Sequence, residues 1–525
     1  TDLAMYGITM VSGTLSQNTT WTAANSPYLV TGDVSIPAYM TLTIEPGVIV
    51  RFLKRTDDQS SGFNSTRSEI YIEDYGALVA EGTATDSIYF MSNAQSPQKS
   101  DWYGISAPGG KVDIRMSYVS FSNSYTGIAR PSYYNDLYLD GDEGDTLSIT
   151  NSYFRNIDDR FFHCNLLLSN NGLVLIKNNK FGKWDSHFFN KIYLRSNSLF
   201  HLDSNQFLGI DHGSMQDGYF RIEDDSSRVW ATNNTTNARC NLSFGDPYYA
   251  NYSIRDYNYV IEGNNFKGDG DDRISFNGSS ATKGSFLIKD NVIDSAGVYI
   301  AYAKKAQVQG NLIKNITSSG LEGIELQSSN AIVEYNTIKD NAGDGIRRDC
   351  SSYYVDSVND TIWFNSITGN NTSNTSYRAG LYVAGYGDPV IRYNDIYDNS
   401  NNYYDLYVGT GNLDDDLDVR FNYWGTTTTA QMVQGDNPKD IDRIYDYFEN
   451  SGYNQADYSN WLSADATQPP AVPQNPIVYG GTLQLTLAWD PVLDAPDFHS
   501  YNIYRSTSPN AGTLVDSVLS ETGAD

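Results

Sequence analysis

The chain has 525 residues, 63 acidic against 35 basic side chains, a formal net charge of −28 and 3 cysteines. Such a length exceeds one ordinary domain unless the chain repeats, and the acidity argues against nucleic acid and anionic membrane, which are held by rows of Lys and Arg. Apolar runs such as "GLVLI" fall far short of the roughly 20 residues that span a bilayer, and Cys164, Cys240 and Cys350 form neither a zinc pattern nor a disulfide framework.

In chain order, residues 6–30 are expected to cap one end of the structure, and strands begin in "TLTIEPGVIVRF" (41–52). The dominant signal follows in "VLIKNNKF", "FHLDSNQF", "YVIEGNNF", "AIVEYNTI" and "PVIRYNDI", each read as apolar, two residues, Asn, one residue, apolar. The centres fall at Ser117, Ser152, Asn179, Asn205, Asn233, Asn264, Asn291, Asn311, Asn336, Asn365, Asn394 and Asn422, about 28 residues apart on average. Ten of the twelve are Asn, the exceptions being Ser117 and Ser152; the residue three before each is apolar throughout, from Ile114 to Trp230 and Val419, and the residue two after is apolar except Thr235. Period-2 alternation rich in Ile and Val argues for strands over a helical solenoid. Asn tolerates the left-handed bend between strands, and stacked Asn amides can hydrogen-bond from coil to coil.

These repeats, with "GALVAEGTATDSIYFMSN" (76–93), "DWYGI" (101–105), "GIELQSSNAIVEYNTIKDNAGDGI" (323–346) and "NYWG" (422–425), resemble the right-handed parallel β-helix repeat family of pectate lyases, polygalacturonases and phage tailspikes, and its secreted bacterial members in particular. The resemblance implies an all-β solenoid over residues 1–465, with 426–450 closing the far end by a short helix and loop. It specifies fold and leaves activity open, since one scaffold carries many chemistries. Residues 466–476, with "PPAVPQNP" (469–476), read as a Pro-rich linker. Residues 477–525 resemble part of a fibronectin type III module, a partial β-sandwich with Trp489 as core residue and Tyr501, Ile503 and Tyr504 on the paired strand. Its later strands are missing, so the polypeptide is expected to continue past Asp525, and a signal peptide is expected to have been removed before Thr1.

In enzymes of this fold, by the same resemblance, substrate lies beside the turn that follows the Asn centre. Six residues past three successive centres stand Asp158, Asp185 and Asp211, with His187 and His212 close behind, a column expected to pair a proton-donating and a proton-accepting carboxyl. "DHGS" (211–214) does not match the polygalacturonase pattern, and Asp344-Gly345-Ile346 matches the family's ordinary turn. Asp414, Asp416 and Asp418 in "LDDDLD" (413–418) are calcium candidates that lack EF-hand spacing, and no cofactor is required. The 41 tyrosines are in excess, and outward rings suit sugar stacking or protein contacts. Three readings stay open: an extracellular or cell-surface scaffold contacting copies of itself, surface proteins or neutral polysaccharide; a secreted glycoside hydrolase, or less readily a polyuronate lyase; and a carbohydrate-binding module.

Overall fold

Short stretches with one apolar side need a sheet with one buried face, and stacking each repeat on the next supplies it. The computed structural model of the chain describes residues 7–466, apart from 109–110, 131–135, 183–187, 189–190, 209–217, 225, 238–240, 246–256, 279–284, 304, 351–358, 376, 401–402 and 411–415. Beyond them it describes the backbone of four strands, 474–480, 485–490, 500–508 and 511–519.

The chain winds as a parallel β-helix with three faces. The first face is a 14-stranded sheet that runs from Thr19–Trp21 to Val390–Arg392. The second and third faces join into a 29-stranded sheet, because long strands such as Tyr28–Ile36 and Asn265–Asn277 run through the bend between them. Tyr28–Ile36, for example, pairs in parallel with Ile49–Phe52 on one face and Ile70–Ile72 on the other. Strands Thr9–Thr14 and Thr19–Trp21 enter both sheets as the first coil, rather than lying across its end.

In-register pairing puts like residues above one another. On the first face Ile149, Ile176, Leu202, Ala231 and Ile261 stack inward. On the second, Phe154, Phe181 and Phe207 stack with ring centroids 5.2 Å apart. The last coils are covered by helix Gly425–Met432, whose Met432 is fully buried beside Trp424.

The Asn ladder lies at the bend between the first and second faces. Asn365 shows its geometry: Nδ2 donates to Val333 O at 2.8 Å and to Asn394 Oδ1 at 2.9 Å, and Oδ1 accepts from Asn336 N and Nδ2 at 3.0 and 2.9 Å. The bend itself is made one residue earlier than expected. Left-handed φ values belong to Asn178 (56°), Ser204 (57°), Asp290 (52°), Tyr335 (57°), Phe364 (55°) and Tyr393 (57°), each preceding a ladder Asn that stays buried.

That rule corrects two centres. Asn233 is itself left-handed, and Asn234 is the ladder residue, bonded to Asn205 and Asn264. The flanks Trp230 and Thr235 thereby give way to buried Ala231 and Thr236. Ser117 pairs with Thr150 in the sheet, while Tyr118 is left-handed and Val119 occupies the ladder position, receiving no Asn amide. A shift of one or two residues keeps an apolar residue at the flanking position, Ile114 for Met116 and Trp230 for Ala231, so the pattern alone does not fix the register.

A second ladder, absent from the sequence reading, runs five residues on at the next bend: Asn341, Asn370 and Asn399 bond in series, ending on Asp405 and Arg443. Its amides occupy the space over Gly323, Gly345 and Gly380; a Cβ at Gly380 would lie 2.3 Å from Asn399 Nδ2.

Past the β-helix, Gln474–Gly480 pairs antiparallel with Leu485–Asp490, the strand that contains Trp489, and Ser500–Ser508 with Ala511–Leu519, so the strand of Tyr501, Ile503 and Tyr504 pairs with 511–519 and not, as expected, with the Trp489 strand. The side chains of Trp489, Tyr501, Ile503 and Tyr504 lie outside the described residues.

Candidate functional site

Register also decides what projects from the third face. Tyr219, Ser243, Ser275, Tyr299, Glu325, Arg347, Tyr382, Tyr407 and Tyr445 are aligned partners on successive coils. At about 4.8 Å per strand the column is roughly 38 Å long. Two cavities lie along it. One of about 520 Å³ is lined by Tyr219, Ser243, Arg273 and Tyr299, and one of about 460 Å³ by Glu322, Arg347, Arg378, Tyr382 and Tyr453.

Three carboxyls and three guanidiniums meet between those cavities. Arg273 Nη2 reaches Glu322 at 3.6 Å and Glu325 at 3.3 Å. Arg378 Nη1 lies 2.6 Å from Glu322 and 3.6 Å from Asp344, and Arg347 Nη1 3.1 Å from Asp344. Glu322 is 6% exposed and Asp344 0%, so these two carboxyls are held out of water against guanidiniums that stay partly exposed.

The matching is unequal in its effect. Burial, then the charge of Glu322 with which it hydrogen-bonds, raises Glu325 to about 7, against the pull of Arg273 and Arg347. Glu325 therefore holds its proton more tightly than a free glutamate does. Burial raises Asp344 to about 6 despite Arg378 and Arg347. A carboxyl that keeps its proton at neutral pH beside one that accepts hydrogen bonds can donate and receive protons in one reaction.

The tyrosines form the wall. The Arg347 guanidinium lies 3.7 Å from the centroid of Tyr382, whose ring stacks on Tyr407 at 5.3 Å and 10°. Tyr407 stacks on Tyr445 at 4.3 Å and 2°. Tyr407, the middle ring, is 4% exposed, so the stack is a packed wall rather than a set of flat platforms open to solvent. A second stack, Tyr335, Phe364 and Tyr393 at 5.2 Å steps, crowns the left-handed residues before the first ladder. Much of the tyrosine excess is thus spent on coil-to-coil stacking.

Of the expected column, Asp158 is described. Its carboxylate accepts from the Ser100 hydroxyl and its N–H donates to Ser124 O at 3.2 Å, a turn-capping role. It stands six coils from Glu322, roughly 29 Å along the rod. Asp185, Asp211, His187 and His212 lie outside the described residues, as does Asp414. Asp418 is held by Arg392 at 2.5 Å and Arg420 at 2.8 Å, which keep its carboxyl well below the usual range, and Asp416 accepts from Gln455 N at 3.3 Å. Among the described residues, no three ligating side chains group as a metal site.

The sequence reading passed over Glu322, Glu325, Arg347 and Arg378, and set Asp344 aside as an ordinary turn residue. A signal was present: "EGIE", "DGIR" and "AGLY" align on Gly323, Gly345 and Gly380, and the residue two past each glycine is Glu325, Arg347 or Tyr382.

Residues 228–373 match the family model "Right handed beta helix region", and residues 13–124 match "Pectate-lyase like beta helix domain". The fold is a right-handed parallel β-helix. No curated protein matches the chain. Among solved structures, a mannuronic acid specific polysaccharide family 6 lyase from human gut microbiota aligns over 74% of this chain and 84% of that one, at 11% identity and a TM-score of 0.30. A likeness of that size transfers neither residues nor activity to this β-helix.

Proposed function

We propose that this β-helix holds a polysaccharide along its third face and cleaves it at the Glu322–Glu325 pair. The observation that carries the reading is Glu325: a carboxyl raised to about 7 by burial and by the charge of Glu322, with which it shares the Arg273 guanidinium, on a roughly 38 Å column flanked by two cavities. In this reading Glu325 gives its proton to the glycosidic oxygen as the C–O bond breaks. Glu322 attacks or stabilises the anomeric carbon, and water then releases the sugar and returns a proton to Glu325. The arginines are already matched by carboxylates, and the chain carries −28, so a neutral glycan is favoured over a polyuronate.

An extracellular setting belongs to the same proposal. It is supported by the acidic composition, a net charge of −28. The fibronectin-type reading of 477–525 is supported by its two antiparallel hairpins.

The test is incubation of the full chain with neutral and uronate polysaccharides, following reducing ends and unsaturated products separately. Reducing ends from a neutral glycan, lost in Glu325→Gln and in Glu322→Gln, are expected. Unsaturated ends formed together with the reducing ends, or full activity in Glu325→Gln, would remove the reading.

A further inference from the structure

Parallel sheets are normally covered on both sides, by core within and helices without. The first face has core on its inner side and side chains in solvent on its outer side. Its outward central column places Leu175, His201, Trp230, Val260 and Leu287 in register on consecutive coils. Leu173 and Leu199 flank it. Further along the same column Ile332 and Val390 project, each 40% exposed, and Trp230 is 38% exposed. His201 meets Trp230 edge to face at 5.6 Å, and burial pulls its pKa below the ordinary value, so the imidazole stands in the stripe as a neutral ring.

Charge on this face is paired between and within strands: Lys177 with Asp203 at 3.0 Å and Lys289 with Glu262 at 3.4 Å on neighbouring coils, and Arg115 with Asp113 at 2.9 Å on one strand. In a chain of net charge −28, two copies repel over most approaches, and a surface whose acids and bases balance is where they can meet. The outward face of fourteen strands is roughly 62 Å by 13 Å, or about 800 Å² per copy, the area of a standard stable interface.

We propose that the first face is the interface of a homodimer, in which the two sheets pack face to face with the Leu175–Leu287 stripes against each other. The aligned packing known for stacked sheets, about 10 Å apart, lets the side chains interdigitate. The third-face groove stays open in this arrangement, so the two proposals stand or fall separately.

The test is sedimentation equilibrium of the full chain over a range of concentrations and salt. Wild type is expected as a reversible dimer that tightens with salt, as screening removes the repulsion of two acidic bodies. Trp230→Glu with Leu287→Glu, both outward positions that leave the core intact, is expected to weaken the dimer at least 100-fold. Tyr382→Glu on the third face is expected to leave it unchanged. A monomer at every concentration overturns the proposal, as does a dimer that survives the double variant or is lost in Tyr382→Glu. Circular dichroism and the urea midpoint of the double variant establish that it is folded, so a monomer there reads on the interface.

Discussion

Asn365→Ala tests the reasoning behind the fold most directly. Removing the amide leaves the Asn336 main-chain N–H without its acceptor and withdraws the donor from Val333 O, both fully buried or nearly so. It also breaks the side-chain bonds to Asn336 and Asn394, each 2.9 Å. A buried polar group left unmatched costs about 1–3 kcal/mol, and the small cavity adds to it, so a loss of about 3–5 kcal/mol is expected. Asn365→Asp has the same shape and keeps the acceptor, but it sets a carboxylate against Val333 O and Asn394 Oδ1 and is expected to be no better tolerated. The control is Asn178→Gly, at an exposed left-handed position with φ 56° and one bond to Asn151 at 3.2 Å, which is expected to change stability by less than about 0.5 kcal/mol. Urea unfolding gives the midpoints, and amide exchange at Asn336 reads the local opening expected when each coil is stabilised by its neighbours. If Asn365→Ala moves the midpoint no more than the control does, the ladder is not what holds the coils together.

Gly380→Ala is expected to destabilise by several kcal/mol, since its methyl would meet Asn399 at 2.3 Å; Asn399→Ala in the same chain should recover part of the loss, as thermal melts would show. Arg348→Ala leaves Asp360, 1% exposed, without the guanidinium 3.1 Å away, and a loss of about 3–5 kcal/mol is expected in urea. Burial raises Glu69 from 4.5 to about 7 beneath the backbone of Phe63 and Asn64. The folded chain therefore binds that proton more tightly than the unfolded one, so the contribution is complete below pH 4.5 and is lost as pH rises through 7. It amounts to about 3 kcal/mol at most, and Glu69→Gln should flatten that part of the urea-midpoint profile. Burial pushes the Cys164 thiol up to about 12 and leaves Cys350 1% exposed, so alkylation mapped by mass spectrometry should reach both only after unfolding.

Strand identity was legible in the sequence because burial of one face imposes a period of two, and the repeat was legible because a stacked amide tolerates little but Asn. Register was less secure. Ile114 is apolar at the place Met116 holds in the structure, and Trp230 stands in for Ala231, so a slip of one or two residues changed the ladder without breaking the pattern. The second ladder was written in "NTIKDN", "NSITGN" and "NDIYDN", five residues past the first, yet a search anchored on one centre does not look for another.

The candidate site was hidden for a different reason. Glu325 and Arg347 are 22 positions apart and Tyr382 a further 35, and insertions between coils erase any constant spacing. Only winding the chain brings them into one column, and only burial in that column moves the Glu325 proton. Sequence alone settled that this acidic chain is a rod of parallel strands, since local alternation and a repeated amide are encoded residue by residue. Which side chains share an outward face, which carboxyls lie dry beside one another, and where the tyrosines stack were decided by the tertiary structure, because proximity and dielectric belong to neighbours that the linear order does not name.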